Sequence, residues 1–132
     1  VLGAGTTILG AININSGATL TTNSNVGTIA VNGGMWNHAA GTVASPSLQG
    51  NGRLTYTSAG AISGTMFIGP GCTADFSQDP QSRVVANVTM QIGSSLLDPN
   101  KTVTFSNPIY LSECGIEDVS LRLGKDVHVQ RS

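Results

Sequence analysis

Charge is what this sequence lacks most. Only 10% of its 132 residues are charged, the formal net charge is −1, and the first charged residue from the N-terminus is Arg53. The six Lys and Arg residues are scattered, whereas nucleic-acid binding needs a clustered basic patch. The composition therefore excludes a nucleic-acid-binding surface of that kind. Because exposed surfaces usually carry abundant charge, the uncharged first fifty residues predict that other subunits cover part of them.

Long apolar runs and aromatic side chains are also scarce. No stretch approaches the roughly 20 apolar residues of a membrane span, so we expect no membrane partner. With 39% apolar and 5% aromatic residues, the chain buries little apolar surface and is expected to be marginally stable by itself. We therefore expect self-association, as a homotrimer or within a larger shell.

Only two cysteines are present, Cys72 and Cys114, and they lie far apart in the sequence. In a stacked fold their separation is about two coils, or roughly 10 Å along the axis at about 4.8 Å per strand. A disulfide tolerates a Cα separation of only about 7 Å. We therefore expect two free thiols, with an intermolecular disulfide as the alternative.

No segment has a clear helical period, and short apolar triplets recur instead. Each triplet is followed closely by Gly, Ser or Asn, and most then return to an apolar residue. A strand too short to bury its own face, followed by a corner of small residues and repeated, is typical of a stacked solenoid. The seven triplets are residues 12–14, 29–31, 54–56, 66–68, 90–92, 109–111 and 121–123.

The spacing of the triplets predicts how the coils are built. Counted between their last residues, the successive steps are 17, 25, 12, 24, 19 and 12. The longer steps suit one turn of a parallel β-helix, since two or three strands of about 5 residues and their corners fill such a turn. The steps of 12 then separate neighbouring faces of one turn. We predict an all-β parallel β-helix (β-solenoid) of about five to six short coils; the alternative is an antiparallel β-sandwich or barrel.

The whole chain of 132 residues is expected to form one domain. Residues 1–10 are apolar but lack the basic start of a signal peptide, so we expect a leading strand or an N-terminal arm. Residues 77–82 are the most loop-like stretch and are expected to protrude from the stack. Small residues and proline at 45–47, and glycines at 50–52, predict two corners.

Residues suited to catalysis are few. Hydrolysis of a polysaccharide needs two carboxylates several ångströms apart in a groove. Asp75 and Asp79 are the pair placed to flank one loop, whereas Glu117 and Asp118 would point to opposite faces of a strand. Two isolated histidines and two distant cysteines do not provide the spacing of a zinc site. We therefore expect no enzyme activity, no metal and no cofactor.

One aromatic segment is the candidate binding site. Trp36 is followed by Asn37 and His38 after a Gly-Gly corner, and Tyr56 ends a later triplet. Tryptophan is prominent among interface hot spots, so these residues are predicted to anchor a partner protein or to stack on a sugar. The alternative is that Trp36 fills the solenoid interior and Tyr56 lines a coil.

Two coil sequences carry a resemblance to known families. Residues 12–20 (ININSGATL) and 29–34 (IAVNGG) resemble the β-solenoid segments of bacteriophage structural proteins, namely tail spikes, fibres and capsid-decorating proteins. They resemble more weakly the passenger domains of bacterial autotransporter adhesins. The resemblance is best over residues 8–68, and its motifs are common to β-helices in general. It therefore indicates an architecture and a class of protein.

The phage resemblance implies a non-enzymatic virion structural protein. The most specific expectation is a capsid decoration or cement protein at the virion surface. Such a protein would dock on the shell exterior, bind other virion proteins and form a trimer. The alternative is a fibre, spike or adhesin module that binds a host-surface glycan at the bacterial surface. A polysaccharide-degrading β-helix enzyme comes third, because its carboxylate constellation is missing. The short chain favours the phage class, since autotransporter passengers usually run to hundreds of residues and connect to a membrane barrel.

Overall fold

The fold is built from short strands joined by tight corners. The computed structural model describes residues 7–23, 25–56, 62–77, 83–98, 103–123 and 129–131. Within these ranges there is one 3-10 turn, Ile116–Asp118, and no α-helix. The predicted all-β fold class is therefore confirmed.

Fourteen strands are found in this part of the chain. In chain order they are β1 (Thr7–Asn15), β2 (Thr19–Thr22), β3 (Asn25–Asn32), β4 (Met35–His38), β5 (Val43–Gln49), β6 (Arg53–Tyr56), β7 (Ile62–Ile68), β8 (Thr73–Asp75), β9 (Arg83–Met90), β10 (Ser95–Leu97), β11 (Val103–Phe105), β12 (Ile109–Leu111), β13 (Ser120–Arg122) and β14 (Val129–Arg131).

The strands form two parallel sheets that the chain visits alternately. The first sheet has the order β1-β3-β5-β7-β9-β12-β14, with β11 beside β9, and the second has the order β2-β4-β6-β8-β10-β13. Every pairing between these strands is parallel. The strands stack in about five turns, which confirms the β-solenoid and rules out the antiparallel alternative. We number the coils from the N-terminus, so that coil 1 holds β1 and β2 and coil 6 holds β11, β12 and β13.

The register fixes the length of each turn. Ile14 pairs with Val31, and Val31 pairs with Leu48, so the first two turns are equal in length. The predicted steps of 12 do join neighbouring faces, because β6 and β7, like β12 and β13, lie in different sheets. We predicted that the step of 25 from Val31 to Tyr56 is one turn. It is longer than one turn, because β5 lies between these residues along the chain and in the stack. Leu48, which no triplet marks, occupies the missed position.

Two inward-facing rows of side chains run through the core. Members of a row occupy equivalent positions in successive coils, so each packs between the residues above and below it. The row of the first sheet is Ile14, Val31, Leu48, Ile68, Met90 and Leu111, and that of the second is Leu20, Trp36, Leu54, Ala74, Leu96 and Leu121. All are buried except Leu20 and Leu121, which end their row and are partly buried.

Three of the corners from the first sheet to the second use the same type of turn. In residues 15–18, 69–72 and 91–94, the N–H of the fourth residue donates to the carbonyl of the first over 3.0, 3.1 and 3.1 Å. The third residue in each is glycine, with φ of 82°, 72° and 77°. Positive φ at this position is typical of type II turns, and Pro70 suits the second position. Glycine therefore allows the chain to change face within two residues.

The predicted corner at residues 45–47 is wrong, because these residues lie inside strand β5. Pro46 is buried in this strand and pairs in register with Ile29. Proline has no N–H for the ladder, and the β5–β7 register shifts between Val43 and Ser47, where Pro46 lies. The proline is thus accommodated at an irregularity of the stack.

Two further predictions fall partly on described residues. Residues 7–10 of the expected arm belong to β1, which pairs with β3 like the other strands. Residues 1–6 lie outside the described residues. Of the loop expected at 77–82, only Ser77 is described, and residues 78–82 lie outside as well.

Candidate functional site

Trp36 and His38, the central residues of the predicted binding site, face the interior. Both are fully buried, with 0% exposure. Trp36 pairs in register with Leu20 on one side and Leu54 on the other, so it is a member of the inward row. Neither side chain presents surface to a partner. Trp36 thus takes the interior position that was the alternative interpretation.

A closed hydrogen-bond network holds these two rings. Nε2 of His38 lies 2.8 Å from the carbonyl oxygen of Gly41, which can only accept, so Nε2 carries the proton. Nδ1 then accepts from the Thr22 hydroxyl over 2.7 Å, and the indole Nε1 of Trp36 donates to the same oxygen over 2.9 Å. The ring centroids of Trp36 and His38 are 5.3 Å apart. The network satisfies these buried polar groups and joins β2, β4 and the corner after β4.

Asn37 and Tyr56 complete the predicted set. Asn37 is partly buried and alternates with its two inward-facing neighbours, so it lies on the outer face of β4, in register with Thr21 and Thr55. Tyr56 ends β6 in register with His38, and its side chain lies outside the described part of the structure. The backbones of the four residues therefore share two adjacent strands, but their described side chains do not converge on one surface.

Two of the acidic residues considered for catalysis, Asp75 and Asp118, make structural contacts. Asp75 forms an ion pair with Arg53, and its Oδ1 accepts from the N–H of Ser77 over 2.9 Å. Asp118 accepts from the N–H of Gly115 over 2.7 Å. Asp79 lies outside the described residues, so the proposed pair with Asp75 is not described. Nowhere in the described ranges do three or more His, Cys, Asp or Glu side chains gather to hold a metal.

Both cysteines carry free thiols, as expected. Cys72 is fully buried and is the last residue of the turn at residues 69–72. Burial raises the pKa of the Cys72 thiol above its ordinary value, although nearby backbone hydrogen bonds act in the opposite direction. Cys114 is only partly buried.

A shallow depression on the outside of coils 1–3 was not predicted from the sequence. It has a volume of about 360 Å³ and is lined by residues that include Gly17, Thr19, Gly33, Met35, Asn51 and Arg53. Thr19, Met35 and Arg53 are consecutive members of one outward row of the second sheet. Met35 is 41% exposed, and the Arg53 side chain is 40% exposed. One feature of the sequence could have indicated this depression. Arg53 is the first charged residue and follows Met35 by about the length of one turn, so the two would lie on adjacent coils.

Charged residues are distributed unevenly along the axis of the stack, because they are distributed unevenly along the sequence. Arg53 is the sole charged residue before Asp75, so coils 1–3 carry one charged position in the sequence. In contrast, coil 6 and its corner contain Glu113, Glu117, Asp118 and Arg122. Among the side chains whose exposure is described, those exposed on the outer face of β1 and β3 are neutral amides and hydroxyls, namely Asn13, Asn15, Asn25, Thr28 and Asn32.

A second outward row contains two aromatic residues. Phe67, Thr89 and Tyr110 pair in register on the outer face of β7, β9 and β12. Phe67 is partly exposed, and Tyr110 is 37% exposed. The two aromatic positions are two strands apart, or about 9.6 Å at the usual strand spacing.

These features define the class of protein as a small parallel β-solenoid with a charge-poor end. Comparison with protein-family models, curated proteins and solved structures finds no match to this chain. In the described residues no helix is long and apolar enough to cross a membrane.

Proposed function

We propose that this chain is a non-enzymatic structural protein of a virion surface, most concretely a decoration protein that docks on the exterior of a capsid shell. The observation that carries the proposal is the charge-poor surface of coils 1–3, where Arg53 is the sole charged residue. A charged side chain is expensive to remove from water, whereas neutral polar groups that find hydrogen-bond partners are removed at much lower cost. Such a surface suits permanent contact with other subunits.

Two further features support attachment in preference to catalysis. The described carboxylates of Asp75 and Asp118 are engaged in an ion pair or in backbone hydrogen bonds. The resemblance of residues 12–20 and 29–34 to phage β-solenoids also supports attachment, because those proteins are structural parts of the virion. In this proposal the chain forms a trimer and binds other virion proteins.

The test is whether the native protein co-purifies with virus particles. Particles from the source organism or its viruses are separated on a density gradient, and each fraction is examined with an antibody to this chain. We expect the chain in the particle band, and its release as a species of about three times the 13.5 kDa chain mass after mild disassembly. Presence of the chain only in outer-membrane fractions, or turnover of polysaccharide by the purified chain, would contradict the proposal.

A second candidate function rests on the row of Phe67, Thr89 and Tyr110. Aromatic rings with a polar residue between them offer both an apolar contact and hydrogen bonds to a sugar chain. A fibre, spike or adhesin module would use this face to bind a host-surface glycan. A glycan array tests it: binding that is lost in Tyr110→Ala and kept in Thr104→Ala, an exposed change on the neighbouring β11, would favour this candidate.

A further inference from the structure

We propose that the depression around Met35 and Arg53 is the centre of the docking surface and binds an acidic side chain of the partner protein. This inference rests on the proposed function and specifies the chemistry of its contact. The depression is open and shallow, whereas sites for whole small molecules usually enclose most of the ligand. It therefore suits one projecting side chain of a larger partner.

The guanidinium of Arg53 is the recognition group. Its Nη2 pairs with Oδ2 of Asp75, and the other oxygen of Asp75 accepts from the N–H of Ser77. Asp75 is thus fixed by two contacts and in turn holds Arg53 in place. Among the described contacts of Arg53, only Nη2 is engaged, so further N–H groups of the guanidinium are available to a partner. A planar, held guanidinium is well suited to a second carboxylate.

Met35 supplies the apolar part of the contact. It neighbours Arg53 in the same outward row, one strand away, and is 41% exposed. Methionine and arginine are both enriched in the cores of protein interfaces, and the flexible thioether adapts to the shape of a partner. Thr19 follows on the next strand and adds a hydroxyl. Thr19, Met35 and Arg53 thus occupy one outward row across three coils.

Charge identifies the occupant as a carboxylate. Arg53 has no other cation near it in the sequence of coils 1–3, and Asp75 already balances its charge. Either a phosphate or a carboxylate would meet the Arg53 cation and the Asp75 anion, but a carboxylate carries a single negative charge, is repelled less by Asp75 and matches the fork of the guanidinium. The surrounding surface is neutral, so Arg53 gives the docking surface its one electrostatic contact.

A titration with small probes tests the site without the partner. Chemical shifts of the Arg53 Nε–Hε group and the Met35 methyl group are followed by NMR as N-acetyl-aspartic acid amide is added. N-acetyl-asparagine amide is the uncharged match, inorganic phosphate is a third probe, and exposed Arg122 is the internal comparison. We expect a saturable shift at Arg53 and Met35 with the aspartic acid probe alone. Equal shifts with the uncharged probe, stronger binding of phosphate, or shifts no larger than those at Arg122 would overturn the inference.

A docking measurement separates this inference from the proposed function. Arg53→Gln is expected to weaken docking on particles by at least about thirty-fold, the size of an interface hot spot. Thr73→Ala, the next position in the same row but outside the depression, should dock like the natural chain. Because Arg53→Gln leaves Asp75 without its ion pair, the double variant Arg53→Gln/Asp75→Asn is measured beside it, and circular dichroism checks that both are folded.

Each outcome has a definite reading. If the folded variants dock normally while the natural chain docks on particles, the inference fails and the proposed function stands. If the natural chain docks on no particle but binds the aspartic acid probe at Arg53, the proposed function fails and the carboxylate site remains. Loss of docking in both Arg53 variants, with Thr73→Ala unaffected, supports the two together.

Discussion

At the scale of single residues, Trp36 shows why an isolated aromatic is a poor guide to a binding surface. Its sequence neighbours Asn37 and His38 are polar, which favoured an exposed position. The residues that decide its environment lie about one turn earlier and one turn later in the chain, where Leu20 and Leu54 stack on it. The indole N–H also needs a partner when buried, and Thr22 supplies it. Neither relation can be seen without the register of the coils.

We therefore expect the hydroxyl of Thr22 to contribute more to the free energy of unfolding than a typical side-chain hydroxyl. Thr22→Val keeps the shape of the side chain but leaves the indole N–H of Trp36 and Nδ1 of His38 without their described partner. Each unsatisfied buried group costs about 1–3 kcal/mol, so we expect a loss of about 3 kcal/mol in the free energy of unfolding, measured with urea. Thr21→Val, the neighbouring position on the partly exposed face, is the control and should change stability by no more than about 0.5 kcal/mol. Equal effects of the two would contradict the network.

Burial separates the two thiols in reactivity. The thiolate is the reactive form, and the raised pKa of Cys72 means that less of it is ionised at pH 8. We expect iodoacetamide to modify partly buried Cys114 well before Cys72, as read by peptide mass spectrometry. In 8 M urea, roughly the condition in which such domains are unfolded, the two should react at similar rates. Faster modification of Cys72 in the folded protein would contradict its buried position.

At the scale of the elements, most apolar triplets and the glycine corner at residues 50–52 were predictable, whereas strand β5 was not. Glycine adopts positive φ at little steric cost, and Gly33, Gly50 and Gly71 have φ of 83°, 60° and 72°. Strand β5 was missed because Ser45-Pro46-Ser47 contains the residues of a turn. Its neighbours in the stack, β3 and β7, override that local preference by pairing with it on both sides. The depression was missed for a similar reason, since Met35 and Arg53 meet only through the register.

Two corner glycines should differ sharply when replaced by alanine. A Cβ at Gly34 would lie 2.6 Å from both the Asn15 carbonyl oxygen and Cγ2 of Ile14, so the coils would have to move apart. At Gly17 a Cβ meets nothing within 4 Å, and only its φ of 82° is unfavourable. We expect Gly17→Ala to cost about 1 kcal/mol and Gly34→Ala about 3 kcal/mol or more. Thermal unfolding followed by circular dichroism compares them, and a smaller loss for Gly34→Ala would contradict the close approach of the coils.

At the scale of the whole molecule, a stack of coils spreads its properties along one axis. Sequence order becomes spatial order, so a composition that drifts along the chain produces two different ends. The drift from neutral to charged residues was visible in the sequence, and it needed only the solenoid topology to become a feature of the surface.

A matched pair of lysine substitutions tests whether the neutral end is the self-associating one. Thr28 on β3 and Thr104 on β11 are both exposed threonines of the first sheet, in coils 2 and 6. In a trimer that covers the outer face of coils 1–3, Thr28→Lys places like charges in a contact that excludes water, which is costly. We expect sedimentation equilibrium to show a trimer for the natural chain and for Thr104→Lys. For Thr28→Lys the association constant should fall at least tenfold, or about 1.4 kcal/mol.

A stable, folded natural chain at the monomer mass of 13.5 kDa would contradict self-association altogether. A trimer weakened only by Thr104→Lys would place the contact at the charged end, and the low charge of coils 1–3 would then need another cause.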